Sequence, residues 1–157
     1  MADGMTDEAA GFRAATGDEG PSVAGRSPGE RADAVGQAMD GLRQIRKVVN
    51  PPAGRPLSVP ADWEHLQPVR AIVLALEAAG VPPSAVGADG RRSATGYRVR
   101  VCEGAVRVEW VGPPGSRVRY QQQEGLRRCA DVLRGLGWQA LEYRGARGLR
   151  WLEVEPS

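Results

Sequence analysis

Residues 97–111 read YRVRVCEGAVRVEWV, two alternating runs about a single glycine. Tyr97, Val99 and Val101 alternate with Arg98, Arg100 and Cys102; Val106, Val108 and Trp110 then alternate with Arg107 and Glu109. Alternation of period 2 marks a strand with one buried face, and the Glu103-Gly104 pair between the two runs suits a tight turn. The stretch is predicted to be a β-hairpin. Its valines and Trp110 face the core, which sends Arg98, Arg100 and Arg107 to the opposite face.

Reading outward, Gly112-Pro113-Pro114-Gly115 ends the second strand. A helix is then predicted over 117–136, with Leu126, Cys129, Leu133 and Leu136 on one face and Gly137 as its stop. A second hairpin follows, with strands near 138–143 and 148–154. Upstream, Val69, Ile72, Val73 and Leu76 set the apolar stripe of a helix over 62–79 that Gly80 and Pro82-Pro83 terminate. Helix–strand–strand thus occurs twice. The text around Leu76-Glu77-Ala78-Ala79-Gly80-Val81 resembles that around Leu133-Arg134-Gly135-Leu136-Gly137-Trp138, so an internal duplication is one expectation. Against it, the polar loop 88–96 has no counterpart in the second half. The expected fold class is α+β: a four-stranded antiparallel sheet made of two hairpins, with helices on one face.

The N-terminal third is different. Residues 1–40 hold eight acids against three arginines, and Phe12 is the one aromatic before Trp63. We expect residues 1–26 to be a disordered acidic tail. Ser27-Pro28-Gly29-Glu30 then forms a helix-starting capping box, and Val35, Met39, Leu42, Ile45 and Val49 make a narrow apolar stripe on a helix over 27–49. Residues 50–61, rich in proline, read as a linker, and 62–157 as the α+β domain.

Composition excludes several kinds of chemistry. No apolar run approaches the roughly 20 residues that cross a bilayer. Residues 1–10 carry no basic and apolar leader pattern, so a cytoplasmic location is expected. Two cysteines and one histidine suffice for neither a disulfide framework nor a four-ligand zinc site. His65 reads as a surface side chain, Cys129 as a small core residue and Cys102 as a thiol on the other side of the sheet. Glu153 and Glu155 share a side of one strand and read as solvated acids. No phosphate-binding loop, dinucleotide fingerprint or metalloprotease pattern occurs, so neither catalytic residues nor a cofactor or metal is expected. The protein reads as a non-enzymatic binding module.

The arginines carry the functional expectation. Residues 91–157 hold thirteen arginines against seven acids. Arg98, Arg100 and Arg107 share a strand face, Arg91 and Arg92 lie in the preceding loop, and Arg144, Arg147 and Arg150 lie in and beside the second hairpin. Guanidinium groups bind phosphate in bidentate fashion and stack on bases, and an exposed Tyr143 or Trp151 would add a stacking platform. These eight arginines are the expected nucleic-acid-binding residues, with the acidic N-terminal stretch drawn to the same face by charge. A chain with a single lysine, Lys47, places arginine on any solvated face, which is the plainer account of the same residues. The alternative function is a protein–protein adaptor in which the 28–49 helix docks a partner.

Overall fold

A computed structural model describes residues 13–20 and 27–156. Helix α1 (Pro28–Val49) is followed by two single 3₁₀ turns (Pro52–Gly54 and Pro56–Ser58), α2 (Asp62–Leu66) and α3 (Pro68–Ala78). Two short strands, β1 (Ala85–Val86) and β2 (Arg92–Ala94), precede the first hairpin, β3 (Gly96–Cys102) and β4 (Ala105–Val111). Then come α4 (Val118–Gly135), β5 (Trp138–Arg144), a 3₁₀ turn (Ala146–Gly148) and β6 (Arg150–Pro156).

The fold is α+β, with a four-stranded antiparallel sheet in the order β3-β4-β6-β5. That order is unchanged when the two helix–strand–strand halves are exchanged. The second strand of each hairpin lies at the centre, pairing Val106 with Val154 and Val108 with Leu152. Gly80 and Gly137, at φ +83° and +87°, end α3 and α4 in the left-handed conformation that glycine adopts without strain. In the first hairpin Glu103 and Gly104 take φ 53° and 82°, the two positive values of the tight turn whose twist matches the strands.

One face of the sheet packs against α3 and α4. Tyr97, Val99, Val106, Val108, Trp110, Trp138, Ala140, Leu152 and Val154 meet Ile72, Leu76, Leu126, Cys129 and Leu133 there. Val101, expected in this core, is 61% exposed. It sits one pair from the turn on an edge strand, whereas its partner Val106 is flanked by Val154 on the inner side. Leu136 is only half-buried because the helix ends there. Burial pushes the Cys129 thiol up to about 12, so it stays protonated as an apolar filler. Both cysteines are free thiols, as their opposite placement requires.

Gly125 brings α4 onto the sheet. A Cβ there would fall 2.4–2.7 Å from the fused-ring carbons of Trp110. Gly125→Ala should therefore lower stability even though alanine favours helix by roughly 1 kcal/mol, since overpacking costs about 1–3 kcal/mol. Urea unfolding reads the difference, and a raised midpoint would mean that Trp110 swings aside freely.

Several expectations are corrected. The 62–79 helix is split at Gln67 (φ −130°, ψ 62°), because Pro68 forces the residue before it out of the helical region. The 88–96 loop contains β2, which pairs with β1. The 50–61 stretch is not a free linker: the Asn50 side chain donates to the carbonyls of Pro56 (2.8 Å) and Val59 (2.7 Å). Helix α1 begins as expected, with the Ser27 hydroxyl accepting the Glu30 N–H, but its stripe is already used. Val35, Met39 and Leu42 pack on Leu74, while Val49 is exposed. Arg46 occupies the buried position one turn after Leu42 and makes a two-pronged ion pair with Glu64 (2.7 Å at both prongs). Its remaining nitrogen donates to the carbonyls of Leu57 and Leu136, tying helix, turn and domain together.

The tail expected to be disordered over 1–26 is corrected in part. Residues 1–12 and 21–26 lie outside the described residues, but residues 13–20 run along the outer edge of β3. Ala15 is buried there, and the Thr16 carbonyl accepts the Val99 N–H at 2.7 Å. An edge strand leaves alternate amides unpaired, and this segment satisfies one of them.

Candidate nucleic-acid interface

Because side chains alternate, burying the valines of β3 and β4 places Arg98, Arg100, Arg107 and Glu109 on the face away from α3 and α4. The register then adds the second hairpin. Arg107 pairs with Glu153 on β6, and Trp151 pairs with Tyr143 on β5. The open face therefore runs from arginines on β3 to aromatics on β6 and β5.

The aromatic half is ordered by stacking. The Tyr143 and Trp151 rings lie 6.0 Å apart and within 10° of parallel. The Arg107 guanidinium sits 4.4 Å from the centroid of Trp151, within the range of a cation–π contact. Trp151 is held further by its Nε1–H, which donates to Glu153 at 3.3 Å. Arg107, Trp151 and Tyr143 thus form a row of flat groups across three strands, and Tyr143 is 40% exposed. Leu141, exposed beside it, extends the row's apolar surface.

The arginine half is charge-compensated. Arg100 and Arg107 are paired directly across β3 and β4, where like charges repel, and they diverge. Arg100 makes a two-pronged bond to Glu109 (3.0 and 3.1 Å), and Arg107 turns instead to Trp151. Arg98 lies 3.1 Å from Asp18 and 3.7 Å from Glu109. Arg92 donates to Asp18, to the Gly17 carbonyl and to the Ser84 hydroxyl. Partial burial works to raise the Asp18 carboxyl, but hydrogen bonds and charge from Arg92 and Arg98 together hold it below its ordinary 3.8. The contact is therefore complete above that value and lost only as stronger acid protonates Asp18.

The eight expected arginines do not form one site. Arg98, Arg100 and Arg107 share the open face, and Arg92 joins them at the edge through Asp18. Arg91 is exposed on the turn before β2, where its amide donates to Asp89. Arg144 and Arg150 face each other on the helix-bearing side, and Arg150 pairs with Glu142 at 3.3 Å. Arg147 projects from the hairpin tip at φ 60°. The physical reason is parity: with Tyr143 and Trp151 on the open face, their neighbours Arg144 and Arg150 must point the other way. A cavity of about 110 Å³ lies between α4 and the second hairpin, lined by residues that include Gln123, Arg127, Arg134 and Glu142. His65 is exposed on α2, and among the described residues no three His, Cys, Asp or Glu side chains converge to share a metal ion.

Two participants were only partly legible beforehand. Charge attraction pointed to the acidic N-terminal stretch but not to Asp18. The alternation of 150–154 placed Trp151 on the arginine face only once the hairpin register was known. Among the described residues no helix is long and apolar enough to cross a membrane. No protein-family model matches the chain, and no curated protein or solved structure is significantly similar to it.

Proposed function

We propose that the protein binds single-stranded nucleic acid across the open face of its sheet, as a binding module and not an enzyme. The observation that carries the reading is the row Arg107–Trp151–Tyr143, a stacked and partly exposed aromatic pair beside Arg98 and Arg100. Unstacked bases seek flat apolar rings and their phosphates seek guanidiniums, and a four-stranded face about 14 Å across offers both in sequence. Duplex has its bases already stacked and gains less from such a surface. Packing of Val35, Met39 and Leu42 on Leu74 favours this reading over an adaptor role for the 28–49 helix.

Fluorescence anisotropy with a labelled single-stranded oligonucleotide, repeated over a salt series, tests this. Tyr143→Ala, at the exposed end of the row, should weaken binding by about 1–3 kcal/mol, the usual worth of one base–aromatic stack. Arg100→Ala should lower the slope of log affinity against log salt by about one phosphate contact. Absence of binding at low salt by both the intact protein and a form lacking residues 1–20 would defeat the reading.

A further inference from the structure

We infer that residues 13–20 are a built-in competitor for the arginine end of the open face, with the Asp18 carboxylate seated where a phosphate of the nucleic acid would sit. The inference rests on the nucleic-acid reading above and adds the regulation of that site.

The seat is specific. The Thr16 carbonyl accepts the Val99 N–H at 2.7 Å, and the Glu19 carbonyl accepts the Val86 N–H at 2.8 Å. Between them Gly17, at φ +105°, lies so close over β3 that a Cβ would fall 2.4 Å from the Tyr97 carbonyl oxygen. The Glu19 carboxylate folds back to accept from the Thr16 hydroxyl (2.6 Å) and the Gly17 N–H (3.1 Å). That bend presents Asp18 to Arg92 and Arg98 together. Covering a sheet edge requires main-chain bonds alone. A carboxylate set between two guanidiniums is a further element, and it makes the same charge-assisted bonds that a phosphate oxygen would make.

The hold is also light enough to yield. The segment has no helix or strand of its own, and its apolar anchorage is Ala14 and Ala15. Segments with so little buried apolar area open at small cost. Tethering compensates, because an attached competitor acts at a high effective concentration even when its contacts are weak. Weak anions are then excluded, whereas a strand that also engages Tyr143, Trp151 and Arg107 displaces the segment.

The test is anisotropy at low salt with a labelled single-stranded 12-mer and the full chain. Asp18→Asn removes the charge at little cost in shape, and Gly17→Val forbids the seat while keeping Asp18. Both should bind about threefold to tenfold more tightly than the intact protein, the range expected for losing one or two exposed ion pairs. Asp131→Asn, the same charge change on exposed α4, should leave affinity unchanged. Hydrogen exchange at the Val99 amide should speed up in Gly17→Val, and in the intact protein when the 12-mer is added. Wild-type affinity for both segment variants overturns the competitor and leaves the nucleic-acid reading standing. An equal gain from Asp131→Asn also overturns it, in favour of net charge. No binding by any variant overturns both. Circular dichroism confirms folding of Gly17→Val, and Asp18→Asn, a surface change, decides the matter if that variant fails to fold.

Discussion

Glu64→Leu should destabilise the protein by about 3–5 kcal/mol, the usual cost of leaving one partner of a buried ion pair uncompensated. Both side chains are 1% exposed, and Glu64 does two jobs there. One oxygen of its carboxylate accepts from Arg46 and also from the Ala61 N–H at 2.8 Å, capping the start of α2; the other accepts from Arg46 alone. Leucine would strip the cap and leave the guanidinium with only two carbonyls, those of Leu57 and Leu136. Urea unfolding monitored by circular dichroism gives the value. For a domain whose total stability is of order 5–15 kcal/mol, a loss of this size is near the limit of folding. A loss below about 1 kcal/mol would mean that Arg46 escapes to solvent and α1 re-docks. Adding Arg46→Met should recover part of the loss but not all of it, because the Leu57 and Leu136 carbonyls then lack their donor.

Leu133→Ala should cost about 2–5 kcal/mol. Leu133 is fully buried on the face of α4 that meets the sheet, in the same core as Leu126, Cys129 and Leu152. Truncation removes its transfer free energy and leaves a cavity that the sheet cannot close without bending. The spread depends on how far α4 can settle inward, and Gly125 already sets that helix against the Trp110 ring, which limits the settling. A loss below about 0.5 kcal/mol would place Leu133 outside the core. The open face lies on the other side of the sheet. Leu133→Ala should therefore leave oligonucleotide affinity unchanged under conditions where the variant is folded, which separates stability from binding.

The two hairpins were legible because strand period and turn chemistry are local. Alternation in 97–111 and a glycine at position 104 need no information from the rest of the chain. Arg98, Arg100 and Arg107 followed from the same parity. The capping box at Ser27 and the glycine stops at Gly80 and Gly137 were local in the same sense. Val101 was misplaced because alternation says which side a residue faces and not how far the covering helices extend.

Long-range partners were not legible. The apolar stripe of the 28–49 helix calls for a docking surface without naming it, and Leu74 of the same chain lies under it. Arg46, an arginine on the buried side of an amphipathic helix, reads as a defect until Glu64 is placed beside it. The sign of a charge names a class of partner, and many acids in this chain would have served equally well.

The four strands of the main sheet, the Glu103-Gly104 turn, the glycine stops at Gly80 and Gly137 and the shared face of Arg98, Arg100 and Arg107 all follow from backbone geometry repeated over a few residues. Long-range packing sets Trp151 and Tyr143 beside those arginines, turns Arg144 and Arg150 to the other side, and lays Asp18 against Arg98 and Arg92. Those outcomes depend on the order β3-β4-β6-β5 and on a close approach at Gly17. Both are set by packing between segments distant in the chain, where burial and charge pairing act through space and leave no local period to read.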